Sequence, residues 1–150
     1  IPKNVVNAFL LREDRRFYKH NGIDWYSKFR AIGNIFTGRR FSGGSGITEQ
    51  VAKWAFTSRG KIAERNTLAG KFRKVAETLY STELEHTLGK DRILEFYLNN
   101  LPLGDGKFGI VTAAHNYFAK EVKDLTEGET LFLAVLTQNP SMNPKKSRRF

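Results

Sequence analysis

The run KFRKVAETLYSTELEHTL, from Lys71 to Leu88, carries Phe72, Val75, Leu79 and Tyr80 at helical spacing and stops at Gly89. Apolar residues recurring every three or four positions mark one stripe of a helix, and a glycine just past the run supplies the left-handed residue that commonly ends one. The run reads as a long helix with Phe72, Val75, Leu79 and Tyr80 facing inward.

The same period extends in both directions. Pro2 to Leu11 carries Val5, Val6, Phe9 and Leu10 on one side, with Pro2 suited to a first helical turn. Asp24 reads as the cap of a segment in which Trp25, Phe29, Ile32 and Phe36 recur, ended by Gly38. A basic, glycine-rich break from Arg39 to Gly46 precedes a helix from about Thr48 to Phe56, and the polar stretch Thr57 to Ala69 reads as a loop. Downstream, Asp91 caps a short helix through Ile93, Leu94, Tyr97 and Leu98. Leu103 to Gly106 is a turn, and Ile110 to Phe118 is helical. Thr126 with Glu129 forms a capping box ahead of Leu131 to Leu136, ended by Pro140. There is no repeat and no convincing strand pair, so the chain reads as all-α. At 150 residues it buries one ordinary core, which makes residues 1–150 a single domain by default.

Composition narrows the partners. Lys and Arg number 25 against 15 Asp and Glu, a formal charge of +10 that suits a polyanion: nucleic acid, an anionic membrane surface or a phosphorylated substrate. Twelve Phe accompany that charge, and apolar aromatics among Lys and Arg suit an interfacial surface at least as well as a nucleic-acid groove. The absence of Cys excludes disulfides and thiolate metal sites. No apolar run is long enough to span a bilayer. The chain opens at Ile1-Pro2 without Met, so a processed segment is expected.

Three stretches carry candidate chemistry. Glu13-Asp14-Arg15-Arg16-Phe17 through Asp24 sets an acidic pair at a helix end before a basic, aromatic turn. That is a suitable place for a catalytic acid or base acting on an anionic substrate, or equally for a solvated helix end. Arg73, Lys74 and Glu77 share one helix face. They read either as a surface ion-pair cluster, worth roughly 0.3–0.5 kcal/mol per pair, or as a phosphate clamp with a carboxylate beside it. Gly43-Gly44-Ser45-Gly46-Ile47-Thr48 opens a helix with bare amides and hydroxyls, a plausible anion or sugar cradle that Gln50 and Lys53 extend. His20, His86 and His115 lack metal-ligand spacing; His20 reads as a structural hydrogen-bonding residue and the others as incidental. Asp105 between two glycines reads as a tight turn.

In order, these segments resemble the peptidoglycan glycosyltransferase domain of class A penicillin-binding proteins and monofunctional transglycosylases, from Ile1 to about Pro144. Glu13-Asp14-Arg15-Arg16-Phe17 with His20 and Gly22 is similar to that family's first motif. Gly43 to Gln50 with Lys53 resembles the second, and Arg73-Lys74-Val75-Ala76-Glu77 the third. Lys90 to Lys120 resembles the fourth, and Leu133 to Pro144, with Pro140, Asn143 and Pro144, the fifth.

The resemblance implies a lysozyme-like fold with a head lobe and a smaller membrane-associated jaw at about residues 25–42. There Trp25, Phe29, Ile32, Ile35 and Phe36 would meet lipid, and Lys28, Arg30, Arg39 and Arg40 its head groups. It implies polymerisation of lipid II into β-1,4-linked glycan strands for bacterial cell wall synthesis, with inversion and release of undecaprenyl diphosphate. Glu13 would be the general base, with Glu77 as the second catalytic carboxylate, steadying the clamp. Arg73, Lys74 and Lys53 would stabilise the leaving diphosphate; Ser45, Gln50 and Asn143 would contact substrate. No cofactor is required; a divalent cation, Mg or Mn, at the diphosphate is compatible, although no metal cage is visible. The implied partners are lipid II, the growing glycan, an anionic membrane surface and transpeptidase or divisome and elongation proteins, with no nucleic acid. The implied location is the extracytoplasmic or periplasmic face of the inner membrane, anchored by an N-terminal transmembrane helix absent from this chain.

Two positions of the second motif depart from the family's form. Gly46 stands where Thr is usual and Glu49 where the first Gln is usual; Glu49 is expected to pair with Lys53 one turn on. Arg65 is the candidate for an Arg that relatives carry before the third motif, and Ala119 replaces a Gly before Lys120. The alternatives are a degenerate member that binds lipid-linked precursor without polymerising it, and a lysozyme-like enzyme that cleaves glycan.

Overall fold

Side-chain caps open helices at Asp24 and Thr126, whereas those after Pro2 and Gly109 start without one. Asp24 accepts the backbone N–H of Ser27 at 3.2 Å and its hydroxyl at 2.6 Å, satisfying donors that the first turn leaves open. Burial alone would raise the Asp24 carboxyl. The two Ser27 hydrogen bonds and the charges of Arg16 and His20 outweigh it and hold the group below its ordinary value of 3.8. At Thr126 the capping box forms in full: Glu129 N–H donates to Thr126 Oγ1 at 3.2 Å, and Thr126 N–H to Glu129 Oε2 at 2.8 Å. Lys120 Nζ anchors the same carboxylate at 2.8 and 2.9 Å.

The computed structural model describes residues 1–36, 45–57 and 68–138. Gly38, Arg39, Arg40, Gly43, Gly44, Arg65, Pro140, Asn143 and Pro144 lie outside the described residues, as do the side chains of Ile32, Ile35, Phe36 and Arg73. The described residues form the helices α1 (Lys3–Glu13), α2 (Trp25–Phe36), α3 (Ile47–Thr57), α4 (Leu68–Asn100), α5 (Ile110–Phe118) and α6 (Glu127–Leu136), with 3-10 turns at Phe17–Lys19 and Val122–Asp124. Among them there is no strand, only an isolated bridge between Pro102 and Phe108. The chain is all-α.

One compact unit comprises Ile1–Arg15 with Glu95–Phe150. In it α1 packs on α6. Val5 and Phe9 of α1, Leu133 and Leu136 of α6, and Tyr97, Leu98, Leu101 and Ile110 are buried, an apolar interior worth roughly 1.5–3 kcal/mol per large side chain. The turn at Gly104-Asp105-Gly106 is tight as expected, with Lys107 N–H on the Gly104 carbonyl at 2.8 Å and Asp105 at a left-handed φ of 50°.

The other unit is Arg16–Leu94. Among the described residues, Phe17, Ala31, Ile47, Val51, Ala52, Ile93 and Leu94 are its buried apolar residues. Gly22, at φ 87°, lies so close to α4 that an added Cβ would sit 2.6 Å from the carbonyl carbon and oxygen of Ser81. Gly89 breaks the regular geometry of α4 with φ 74°, at the position where the sequence stops the helix; the helical run resumes beyond it to Asn100.

The facing of α4 is a correction. Phe72, Val75 and Leu79 are 68, 58 and 68 % exposed and Tyr80 is exposed too, whereas Glu77 and Ser81 are buried. The stripe expected to point inward points outward. The inner face instead takes polar groups that find partners there: Ser81 Oγ donates to the Glu77 carbonyl at 2.7 Å, and Glu77 meets a lysine.

Candidate active site

Helix α1 runs two residues beyond Leu11, so Glu13 is its last helical residue. Packing of α1 on α6 brings this end beside Thr137, the C-terminal cap of α6. The Thr137 hydroxyl donates to Glu13 Oε1 at 2.5 Å and also lies 2.8 Å from the Ala134 carbonyl. The hydroxyl has a single hydrogen; donated to Glu13 it orients the carboxylate, with the Ala134 carbonyl as the competing acceptor. Asp14 is buried and ends α1 through its N–H on the Leu10 carbonyl at 2.9 Å. Tyr97 is buried in the same unit. Burial, then the negative charges of Glu13 and Asp14, push its phenol far up, so it stays neutral. Sequence reading singled out Glu13 but did not anticipate its hydrogen bond from Thr137 or its effect on Tyr97.

A second cluster gathers within the unit Arg16–Leu94. Lys74 Nζ lies 3.3 Å from Ser45 Oγ, 3.4 Å from Glu49 Oε1 and 3.5 Å from Glu77 Oε2. The second and third candidate stretches therefore meet at one ammonium group. Glu77 is 2 % exposed while the Lys74 side chain is 46 % exposed, so the pair joins a buried carboxylate to a solvent-reaching ammonium. Buried carboxylates persist only where partners compensate their lost hydration.

Glu49, 1 % exposed, takes partners other than the expected Lys53: Lys28 Nζ at 2.9 Å, Lys74 at 3.4 Å and Gly46 N–H at 3.3 Å. On α3, Gln50 is half-buried and Lys53 exposed. Arg73 stands on α4 one residue before Lys74, and Asn143 lies outside the described residues.

Behind this cluster sits a residue that sequence reading passed over. Glu85 accepts Thr48 Oγ1 and Lys90 Nζ, each at 2.6 Å, and His20 Nδ1 lies 4.0 Å away. Lys90 also sits 4.3 Å above the centre of the Phe17 ring. The only sequence signal was indirect, a buried-type histidine at position 20 and a threonine at position 48 that each need a polar partner. His115 is exposed and pairs with Glu121 at 3.3 Å, consistent with an incidental role.

Chemically, the first cluster offers an oriented carboxylate. The second offers an ammonium and a hydroxyl, two hydrogen-bond donors set beside buried carboxylates. Among the described residues no three His, Asp or Glu side chains converge as metal ligands. Glu49 and Glu77 converge on the Lys74 ammonium instead.

The family model described as Transglycosylase matches residues 1–149. Penicillin-binding protein 1F of Bacillus subtilis is 42 % identical over 154 residues, covering 99 % of this chain and 20 % of that protein. Penicillin-binding protein 1A of Aquifex aeolicus is 42 % identical over 142 residues, 94 % of this chain and 18 % of its own length. Penicillin-binding protein 1A of Neisseria lactamica is 40 % identical over 153 residues, 98 % of this chain and 18 % of its own. The chain thus spans about a fifth of the length of these curated relatives.

Proposed function

Because this chain belongs to the transglycosylase family, we propose that it is a peptidoglycan glycosyltransferase of bacterial cell wall synthesis. Its substrate would be lipid II, a disaccharide pentapeptide on an undecaprenyl diphosphate, extended into β-1,4-linked glycan. The observation that carries this reading is the convergence of Ser45, Lys74 and Glu77 on one ammonium-centred cluster, since a departing diphosphate needs cations held in place before reaction.

In this reading Glu13, oriented by Thr137, takes the proton of the acceptor sugar's 4-hydroxyl as that oxygen attacks the donor's anomeric carbon. The bond to the diphosphate oxygen breaks, its electrons leave with the diphosphate, and attack from the opposite face inverts the anomeric configuration. Lys74, with Arg73 and Lys53, stabilises the growing negative charge. Glu77 holds Lys74, and Ser45, Gln50 and Asn143 contact substrate. A divalent cation, if one takes part, would be held chiefly by the diphosphate itself, and no step runs through it.

The same reading puts the chain at an anionic membrane surface on the extracytoplasmic side. Trp25, Tyr26 and Phe29 of α2 and Phe72, Val75 and Leu79 of α4 are exposed, and the chain's charge of +10 favours anionic head groups. Among the described residues no helix is long and apolar enough to cross a membrane. Anchoring by a preceding helix, and work alongside transpeptidase, divisome or elongation proteins, belong to this proposal as well.

The deciding experiment is incubation of the intact protein with labelled lipid II, followed by separation of polymer. Glycan sensitive to a muramidase is the expected product. Retention of lipid II without polymer would instead favour a precursor-binding protein, and release of fragments from finished sacculi would favour a glycan-cleaving enzyme.

A further inference from the structure

Glu49 places a buried carboxylate where the proposed function needs a phosphate to bind. Its oxygens divide their partners: Lys28 at 2.9 Å and Lys74 at 3.4 Å both address Oε1, and Gly46 N–H addresses Oε2 at 3.3 Å. With Glu77 on Lys74 at 3.5 Å, two ammonium groups face two carboxylates and the formal charges cancel. The two lysine contacts are unequal. Lys28 sits within the range of a tight charge-assisted hydrogen bond, and Lys74 lies beyond it.

We infer that Glu49 is a built-in counter-anion of the diphosphate clamp, a positioning residue that sets donor affinity. This rests on the reading above in which Lys74 receives the diphosphate. Lys28 is the standing partner of Glu49 and keeps the carboxylate compensated. Lys74 is the exchangeable partner, held near the site without substrate and drawn off by phosphate oxygens, which are equivalent acceptors for an ammonium. No bond is made or broken in this exchange; one anionic partner replaces another. The carboxylate therefore competes with the donor, and Lys28 limits that competition.

Glu49→Gln isolates the charge. A Gln carbonyl can take the place of Oε1 and keep both lysines, losing only the long contact to Gly46. The test is calorimetric binding of inorganic pyrophosphate to the intact protein in detergent, beside steady-state kinetics on lipid II. Glu49→Gln is expected to tighten pyrophosphate roughly tenfold, the scale of one unit charge removed at short range in a partly hydrated site. It should lower KM for lipid II more than it changes kcat. Lys28→Met should weaken pyrophosphate binding, and the double variant should return close to the parent value.

A purely structural role could only weaken binding on substitution. Unchanged or weaker pyrophosphate affinity in a folded Glu49→Gln protein overturns the inference. If that variant does not fold, Lys28→Met decides, and unchanged affinity there overturns it equally. Pyrophosphate binding that responds as stated in a protein that never polymerises lipid II would sink the glycosyltransferase reading alone. Polymerisation with binding indifferent to Glu49 would sink only the counter-anion.

Discussion

In the unit Ile1–Arg15 with Glu95–Phe150, the side chains sealed from solvent are chiefly Phe9, Leu98, Ile110, Leu133 and their like, and Asp14 and Thr130 are its buried polar residues. In the unit Arg16–Leu94, Thr48, Glu49, Glu77 and Ser81 are buried as deeply, while Trp25, Phe29, Phe72 and Leu79 stand in solvent. The first arrangement follows from the transfer of apolar surface out of water. The second costs stability on both counts: carboxylates lose hydration inside and aromatic surface stays wet outside. Exposed apolar side chains occur in both units, Leu11, Phe108 and Leu131 in the first among them, so the buried carboxylates are what sets the second apart; the proposed function gives them lysines to hold for an anionic substrate.

That contrast can be broken at several points. The largest effect is expected at Glu13. Glu13→Gln should lower the lipid II polymerisation rate by roughly 10²–10⁴-fold, the usual worth of a general base, with an unchanged melting temperature. An undiminished rate would remove Glu13 from the mechanism. Next comes a paired comparison of one chemical change in both regions, read by denaturant unfolding. Leu133→Ala should cost about 2–5 kcal/mol, whereas Leu79→Ala, on the exposed face of α4, should stay within about 0.5 kcal/mol. Equal losses would mean that the α4 stripe is buried after all.

Thr137→Val should lower kcat by roughly tenfold with little change in KM, the scale of one hydrogen bond to a charged group, and Thr137→Ser should restore it. Loss of rate in both variants would reduce Thr137 to packing. Smaller still, Phe72→Ser combined with Leu79→Ser should weaken binding to phosphatidylglycerol vesicles several-fold while leaving binding of pyrophosphate unaltered. Equal vesicle binding would leave the wet aromatic face of this unit without a role at lipid.

The smallest effect concerns Asp24. Its carboxyl is depressed in the folded state, so its stabilisation is present above the unfolded value of 3.8 and fades as pH falls through the lower folded value. Melting temperature should therefore fall more steeply below pH 3.8 in the parent than in Asp24→Asn. Parallel curves would show that the Ser27 bonds at Asp24 do not depend on its charge.

Much of the helical framework was legible in the amino-acid order because its signals are local. Asp24, Thr126 with Glu129, and Gly89 act on backbone within a turn of themselves. The Lys74–Glu77 neighbourhood was legible for the same reason. The facing of α4 was not, because periodicity shows which residues share a side of a helix and says nothing of which side meets the interior. Nor was the Thr137 bond to Glu13 legible, since it joins residues 124 positions apart through the packing of α1 on α6. Glu49 illustrates the same limit: spacing suggested Lys53, and a neighbouring helix supplied Lys28 instead.

The missing side chain at Gly22 has a genetic corollary. With the loop seated against the carbonyl of Ser81, even the methyl of Gly22→Ala would act as a wedge against α4 one turn from Glu77. Alleles altered there should be temperature-sensitive, growing when cool and failing when warm.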